Sequence, residues 1–128
     1  MDSCDALIVG GGPAGSSCAW KLRQAGLEVV VLDRQKFPRD KVCGGWITPA
    51  VLEELELDPG EYAQGRVFQP ITGFRTCRMG DDPVETHYER PVSYGIRRSE
   101  FDHYLLARSG ARRIEGEPLT HLERRGDS

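Results

Sequence analysis

The chain has 128 residues, of which 38% are hydrophobic and 29% charged, and its formal net charge is −3. This length suits one compact domain, and the composition is that of an ordinary soluble globular protein, so we expect a single domain over residues 1–128. Nucleic acid is excluded as a partner, because the arginines are dispersed among acids instead of forming a basic stripe.

No transmembrane segment is expected, because the longest apolar run, Val29–Leu32, is far too short to span a bilayer. The first residues are acidic where a signal peptide would be basic. The four cysteines lie far apart, without a CxxC pair or a histidine at ligand spacing. This spacing indicates neither a zinc site nor a disulfide framework. We therefore expect a cytoplasmic protein with reduced thiols and no bound metal.

The first predicted element is a buried strand, Cys4–Val9, that leads directly into glycines. A helix follows over Pro13–Ala25, with small and apolar residues at helical spacing, a proline in its first turn and Gly26 at its end. Leu27–Asp33 is β-branched and apolar up to its last position, which predicts a second strand. Together they form one βαβ unit of about 30 residues, so the predicted fold class is α/β.

The middle of the chain alternates loops with short elements. The polar stretch after the second strand predicts a loop, and Pro49–Leu57 carries a helical pattern that Pro59 and Gly60 are expected to end. Three extended segments separated by turn residues then predict a small β-meander inserted into the domain. These segments are Val67–Ile71, Gly73–Met79 and Val84–Tyr88.

Two further elements are predicted near the end of the chain. Ser99 is a suitable cap for a helix that runs to about Ser109, and a last strand is expected from Arg112 into Leu122. Gly126-Asp127-Ser128 then has the character of a turn after a strand. We therefore expect the chain to be an N-terminal fragment of a larger protein.

Glycines at positions 10, 12 and 15 satisfy GxGxxG between the first strand and the first helix. Gly10 permits a tight turn, Gly12 lets the backbone approach a pyrophosphate, and Gly15 lets the helix pack closely on the sheet. A pyrophosphate would lie on the free amides at the helix N-terminus, where the helix dipole also favours an anion. For such a motif alone, a glycine-rich turn without any ligand is the alternative.

Asp33 ends the second strand, 18 residues beyond Gly15. A carboxylate at this position accepts hydrogen bonds from the adenosine ribose of a bound dinucleotide, and a solvated acid at a strand end is the alternative. Because glycines, helix and acid are in register, we predict a dinucleotide site. The carboxylate would repel a ribose 2′-phosphate, which disfavours NADP and leaves NAD and FAD.

Three segments resemble the geranylgeranyl reductase family of FAD-dependent oxidoreductases, which is related to the aromatic hydroxylases and flavin-dependent halogenases. They are DALIVGGGPAGSS from Asp5, the stretch from Asp33-Arg34 through Phe37-Pro38-Arg39 to Lys41-Val42-Cys43-Gly44-Gly45, and Arg98-Ser99-Glu100-Phe101-Asp102. The resemblance is clear over residues 5–49 and 94–122 and poor over the meander. It implies FAD over NAD, bound by an incomplete Rossmann-like domain of the glutathione-reductase type.

The resemblance also implies which residues hold the cofactor. Asp33 is similar to the residue that binds the ribose, and Leu119, in the predicted last strand, to the one whose backbone meets the adenine. Arg98 is similar to an arginine that reaches the cofactor from a helix start, where its planar fork suits a phosphate; Arg97 is the competing candidate. The residues expected at the pyrophosphate are Gly10, Gly12, Pro13, Ala14 and Gly15.

Cys43-Gly44-Gly45 resembles the reductase branch, whereas halogenases and hydroxylases usually carry other residues there. The resemblance implies that Cys43 lies near the flavin and the substrate, so it is the candidate catalytic residue, with Gly44 and Gly45 close to the flavin ring. The thiol becomes reactive only if its surroundings, such as Arg39 and Lys41, lower its pKa. A buried and inert cysteine is the alternative.

The basic residues of the loop after the second strand have two interpretations. Arg34, Arg39 and Lys41 either steer phosphates or form a solvated loop. We favour the solvated interpretation for Lys36 and Lys41, and keep Arg34 and Arg39 among the candidate cofactor-binding residues.

The resemblance implies a flavin-dependent reductase that delivers hydride to a carbon–carbon double bond of a prenyl chain. Its partners would be FAD, NAD(P)H as electron donor, and a hydrophobic prenyl compound or other small molecule. Two alternatives stay open: an FAD-dependent monooxygenase or halogenase, and a truncated nucleotide-binding module without catalysis. Family members place a second, Gly-Asp flavin contact well beyond this chain, and Gly126-Asp127 lacks its context. We therefore expect binding by this chain, and catalysis only if a C-terminal part completes it.

Overall fold

The computed structural model describes residues 3–126, so Asp127 of the Gly-Asp pair lies outside the described residues. In chain order, the elements are β1 (Ala6–Val9), α1 (Pro13–Gln24), β2 (Val29–Asp33), β3 (Trp46–Ile47), α2 (Pro49–Glu54), α3 (Pro59–Tyr62), β4 (Phe68–Ile71), β5 (Gly73–Thr76), β6 (Val84–His87), β7 (Ser93–Ile96), α4 (Arg98–Arg108) and β8 (Arg112–Glu115). They form two compact units. Of the described residues, the first contains 3–40 and 101–126, and the second contains 41–100. The single domain over 1–128 stays a prediction.

The first unit is built on a parallel sheet in the order β1-β2-β8. Its middle strand is buried, because Val29 and Val31 contact Ala19 of α1 and Leu106 of α4 in one apolar cluster. Each of these four side chains is at most 3% exposed. The predicted βαβ unit and the α/β fold class are therefore confirmed.

The second unit contains an antiparallel sheet in the order β3-β7-β4 and a separate β5-β6 hairpin. Three aromatic side chains pack together in this unit: Tyr62 is 1% exposed and meets Phe68 edge-on at 5.7 Å, and Phe68 stacks on Tyr94 at 4.5 Å. Edge-to-face and offset stacked rings are the favourable aromatic geometries. The Phe68–Tyr94 contact joins β4 to β7 and supports their pairing.

Several predicted elements differ in the structure. The three extended segments form strands, but their pairing is not a meander, since the first of them pairs with β7. Pro59 and Gly60 begin α3 instead of only ending a helix, because Asp58 Oδ1 accepts a hydrogen bond from the Glu61 amide at 2.6 Å. The last strand ends at Glu115 rather than Leu122, because Gly116 turns the chain with φ +85°.

Within residues 3–126, no helix is both long and apolar enough to cross a membrane.

Replacing Leu106 with alanine tests the apolar cluster of the first unit. Leu106 is 1% exposed, so we expect Leu106→Ala to lower the free energy of unfolding by about 2–5 kcal/mol, through lost burial and the remaining cavity. Urea unfolding followed by circular dichroism measures this loss. Leu122 is 78% exposed, and Leu122→Ala should change stability by less than about 0.5 kcal/mol. Equal losses in both variants would contradict the described core.

Candidate functional site

Two of the three motif glycines are required by the path of the chain itself. Gly10 has φ +105°, a conformation that other residues rarely adopt. A Cβ on Gly15 would collide with the Gly10 carbonyl oxygen, because α1 begins close against the turn that follows β1. The structure therefore explains both glycines by the turn, with or without a ligand.

Gly12 is different, because nothing in its own backbone demands a glycine. It is the N-cap of α1 with φ −70° and ψ −175°, which is ordinary extended backbone. Apart from its chain neighbours, the one described heavy atom within 4 Å of a Cβ there would be Arg39 Nη2, at 3.6 Å. The backbone at Gly12 is thus open to approach from outside the protein.

The first turn of α1 has the features of an anion site. It contains no acidic residue, no described side chain caps it, and Pro13 occupies its first position. Ala14 is exposed, and Ser16 is the residue whose amide already bonds to the Gly12 carbonyl oxygen, at 2.9 Å. Free amides at a helix N-terminus bind phosphate groups. The turn therefore fits the pyrophosphate of a dinucleotide.

Asp33 is buried, with 8% of its surface exposed, so it is not a solvated acid at a strand end. Its Oδ2 accepts a hydrogen bond from the Gly11 amide at 2.7 Å, and its Oδ1 accepts one from the Gln35 amide at 2.8 Å. An ionised carboxylate offers about four acceptor positions. Asp33 therefore anchors the glycine turn and keeps acceptor capacity for ribose hydroxyls, the contact that the sequence predicts.

Arg39 differs from the other basic residues of its loop. Its side chain is 11% exposed and donates from Nη1 to Asp102 Oδ2 at 3.1 Å, whereas Arg34, Lys36 and Lys41 are exposed. Sequence reasoning did not identify Asp102, because an acid on a helix ordinarily faces solvent. The structure thus separates Arg39, which is fixed beside Gly12, from its solvated neighbours.

Leu119 does not lie in a strand. It follows the end of β8 in an irregular segment and is 44% exposed. The prediction that placed it in the last strand is therefore wrong, and its contact with an adenine stays a prediction.

Cys43 belongs to the second unit and is exposed, so it is not a buried cysteine, and its role in catalysis stays a prediction. The pKa of its thiol is lowered from the ordinary value, chiefly by the Gly45 amide, which donates to Sγ at 3.4 Å, and then by a hydrogen bond and positive charge from Arg98. The expected neighbours Arg39 and Lys41 do not account for this shift. A thiolate is the reactive form of cysteine, so the surroundings favour nucleophilic character.

The same geometry distinguishes the two neighbouring arginines at the start of α4. Arg97 is 65% exposed at its side chain and donates to Glu100 Oε1 at 3.4 Å, an ion pair on the surface. Arg98 is less exposed and interacts with the Cys43 thiol. The arrangement supports the choice of Arg98 over Arg97 as a functional residue, and its contact with a cofactor stays a prediction.

Gly45 has a structural explanation that sequence reasoning missed. Its φ is +68°, and a Cβ would lie 2.5 Å from the Ile96 carbonyl oxygen in β7. The Ile96 amide donates to the Gly45 carbonyl oxygen at 2.7 Å, which holds the two backbones together. Gly44 has no such neighbour within 4 Å. The approach of a flavin ring is therefore not needed to explain Gly45.

Comparison with known proteins identifies the family. Residues 5–69 match the family model described as FAD dependent oxidoreductase. The chain belongs to this family. This membership confirms the resemblance and the choice of FAD over NAD as the cofactor. The first turn of α1, which begins at Gly12, fits the ADP part of that molecule.

Two of the similar proteins are named as reductases. Geranylgeranyl diphosphate reductase of Rhodobacter capsulatus is 36% identical over 115 residues, which cover 88% of this chain and 28% of that protein. Menaquinone reductase of Mycobacterium tuberculosis is 39% identical over 106 residues, which cover 79% of this chain and 25% of that protein. The chain thus spans 25–28% of the length of these relatives.

Solved structures agree on the fold. A geranylgeranyl bacteriochlorophyll reductase-like protein from Thermoplasma acidophilum gives a TM-score of 0.82 at 24% identity, covering 98% of this chain and 33% of that one. Flavin-dependent halogenases are also among the similar proteins. The likeness confirms a Rossmann-like flavoprotein fold.

The effect of Arg98 on Cys43 is testable in a chain whose other cysteines are serine. We expect Arg98→Met to raise the pKa of the Cys43 thiol and to lower its thiolate fraction at neutral pH, because a hydrogen-bond donor and a positive charge are lost. The ultraviolet absorbance of the thiolate, followed against pH, measures the shift. Arg97→Met is the matched control and should leave the titration unchanged. An unchanged titration in Arg98→Met would contradict the described contact. The background substitutions are Cys4→Ser, Cys18→Ser and Cys77→Ser.

Proposed function

We propose that this chain is the ADP-binding part of a flavin-dependent reductase and that its first unit holds the pyrophosphate of FAD at the start of α1. The observation that carries the proposal is Gly12: its conformation is ordinary and the space in front of it is open, so a glycine there leaves room for a ligand to approach the backbone amides. Membership of the FAD-dependent oxidoreductase family supports the same conclusion.

In this proposal each group of the first unit has a distinct task. The amides of Ala14 and Gly15 donate to the pyrophosphate, and Asp33 accepts from the ribose while it holds the Gly11 amide in place. Bound FAD would supply the hydride transfer that the protein itself cannot perform. The chain's residues bind and orient the nucleotide end of that cofactor.

For the substrate we propose a polyprenyl compound whose carbon–carbon double bond is reduced, with NAD(P)H as the electron donor. Two similar proteins carry the names geranylgeranyl diphosphate reductase and menaquinone reductase, and both named compounds contain a polyprenyl chain. Cys43-Gly44-Gly45 favours this reductase branch over a monooxygenase or halogenase, and Cys43, with its lowered thiol pKa, is the proposed catalytic residue. We also propose a cytoplasmic location.

Replacing Gly12 with alanine tests the proposal without disturbing the turn. The backbone at Gly12 suits alanine, and the added Cβ would make only an ordinary contact with Arg39, so folding should be retained. We expect Gly12→Ala to weaken the binding of ADP and FAD about tenfold or more, because the methyl group keeps a phosphate from the amides. Isothermal titration calorimetry with ADP, and the visible spectrum with FAD, measure this loss.

The matched control is Gly95→Ala in β7, where the new Cβ would meet Gln69 at an ordinary 3.5 Å. It should bind both ligands as the unaltered chain does. A yellow stoichiometric complex with FAD supports the flavin proposal, and binding of ADP without FAD would favour the nucleotide-binding module instead. If neither ligand binds the unaltered chain, the proposal is wrong.

A further inference from the structure

Among the described acids of the first unit, Asp102 is the most deeply buried, and it has a charged partner. Its side chain is 0% exposed, and Oδ2 accepts a hydrogen bond from Arg39 Nη1 at 3.1 Å. Moving a carboxylate out of water is costly, so a buried one requires a partner of opposite charge or strong hydrogen bonds. The ion pair ties α4 to the loop that follows β2.

Two contacts fix the guanidinium of Arg39, and a third fixes the loop residue on which it packs. One contact is the Asp102 carboxylate. The other is the ring of Phe37, whose centroid lies 4.7 Å from Arg39 Cζ. The Phe37 amide in turn donates to Glu115 Oε2 of β8 at 3.0 Å, which anchors this part of the loop. An arginine has several rotatable bonds, and each contact reduces the freedom that a ligand would otherwise have to restrict.

The fixed guanidinium lies beside the candidate phosphate position at the start of α1. Its Nη2 is 3.6 Å from where a Cβ of Gly12 would be, at the N-cap of α1. Nη1 faces Asp102, so the two nitrogens of the fork face different groups. A planar guanidinium donates strong, directional hydrogen bonds to phosphate oxygens.

We infer that Asp102 is a positioning residue that orients Arg39 so that its Nη2 faces a phosphate of the dinucleotide bound at Gly12. This inference rests on the proposed function, since it requires an anion at the start of α1. Asp102 itself does not touch the ligand, and its effect passes through the arginine.

The experiment compares ADP with adenosine, which lacks the phosphates. In the full chain, Asp102→Asn keeps the shape of the side chain but removes its charge, so Arg39 is held less firmly. We expect the dissociation constant for ADP to rise about fivefold to tenfold, while that for adenosine stays nearly unchanged. Isothermal titration calorimetry gives both constants, and circular dichroism checks folding. Asp102→Glu keeps the charge and moves it by one methylene. It should change the ratio of the ADP to the adenosine dissociation constant less than Asp102→Asn does.

Arg39→Met supplies the second arm of the experiment. It should lower the preference for ADP over adenosine at least as much as Asp102→Asn, and adding Asp102→Asn to it should cause no further change in that preference. Equal losses for ADP and adenosine in Asp102→Asn would indicate a purely structural role and overturn the inference. If Arg39→Met lowers the preference and Asp102→Asn does not, the positioning role is wrong while the proposed function stands. If the unaltered chain does not bind ADP, the proposed function fails and the inference fails with it.

Discussion

The buried hydrogen bond from the Gly11 amide to Asp33 Oδ2, 2.7 Å long, is the constraint on which the first unit's candidate site depends. It joins the glycine turn after β1 to the end of β2. The Asp33 backbone carbonyl also accepts from the amides of Gly116 and Glu117, directly after β8. One residue therefore fixes the carboxyl ends of all three strands of the parallel sheet, the edge at which open α/β sheets bind their ligands.

This double use of Asp33 changes what a substitution there would reveal. Removing the carboxylate would leave the buried Gly11 amide without its partner, so the turn and any ribose contact would be lost together. A substitution at Gly12 tests ligand binding without disturbing the turn, because its Cβ position is open and its backbone is ordinary. Arg39 combines a structural contact with a place at the candidate site, because its guanidinium is held by Asp102 on one side and faces Gly12 on the other.

The sequence predicts the elements that local residue patterns determine. It does not predict the elements and contacts that depend on residues distant in the chain. The βαβ unit has a glycine turn, a proline start and uniform strands within a short stretch, so its position was predicted closely. The short strand β3 has two residues and pairs with β7 across a long separation, for which periodicity gives no signal. The same holds for the site, since Asp102 lies 63 positions from Arg39 and resembles any solvent-facing acid on a helix.

The two glycine clusters show how far a glycine motif supports a binding site. The motif assigns Gly12 to the cofactor and the family resemblance assigns Gly45 to it, in both cases because a residue without a side chain lets another group approach. At Gly45 the approaching group is the protein's own Ile96 carbonyl, and the positive φ independently requires a glycine. At Gly12 no backbone of the described residues occupies that position. A glycine therefore indicates a ligand only where the chain's own path does not already require it, and this condition leaves Gly12 as the residue on which the cofactor assignment rests.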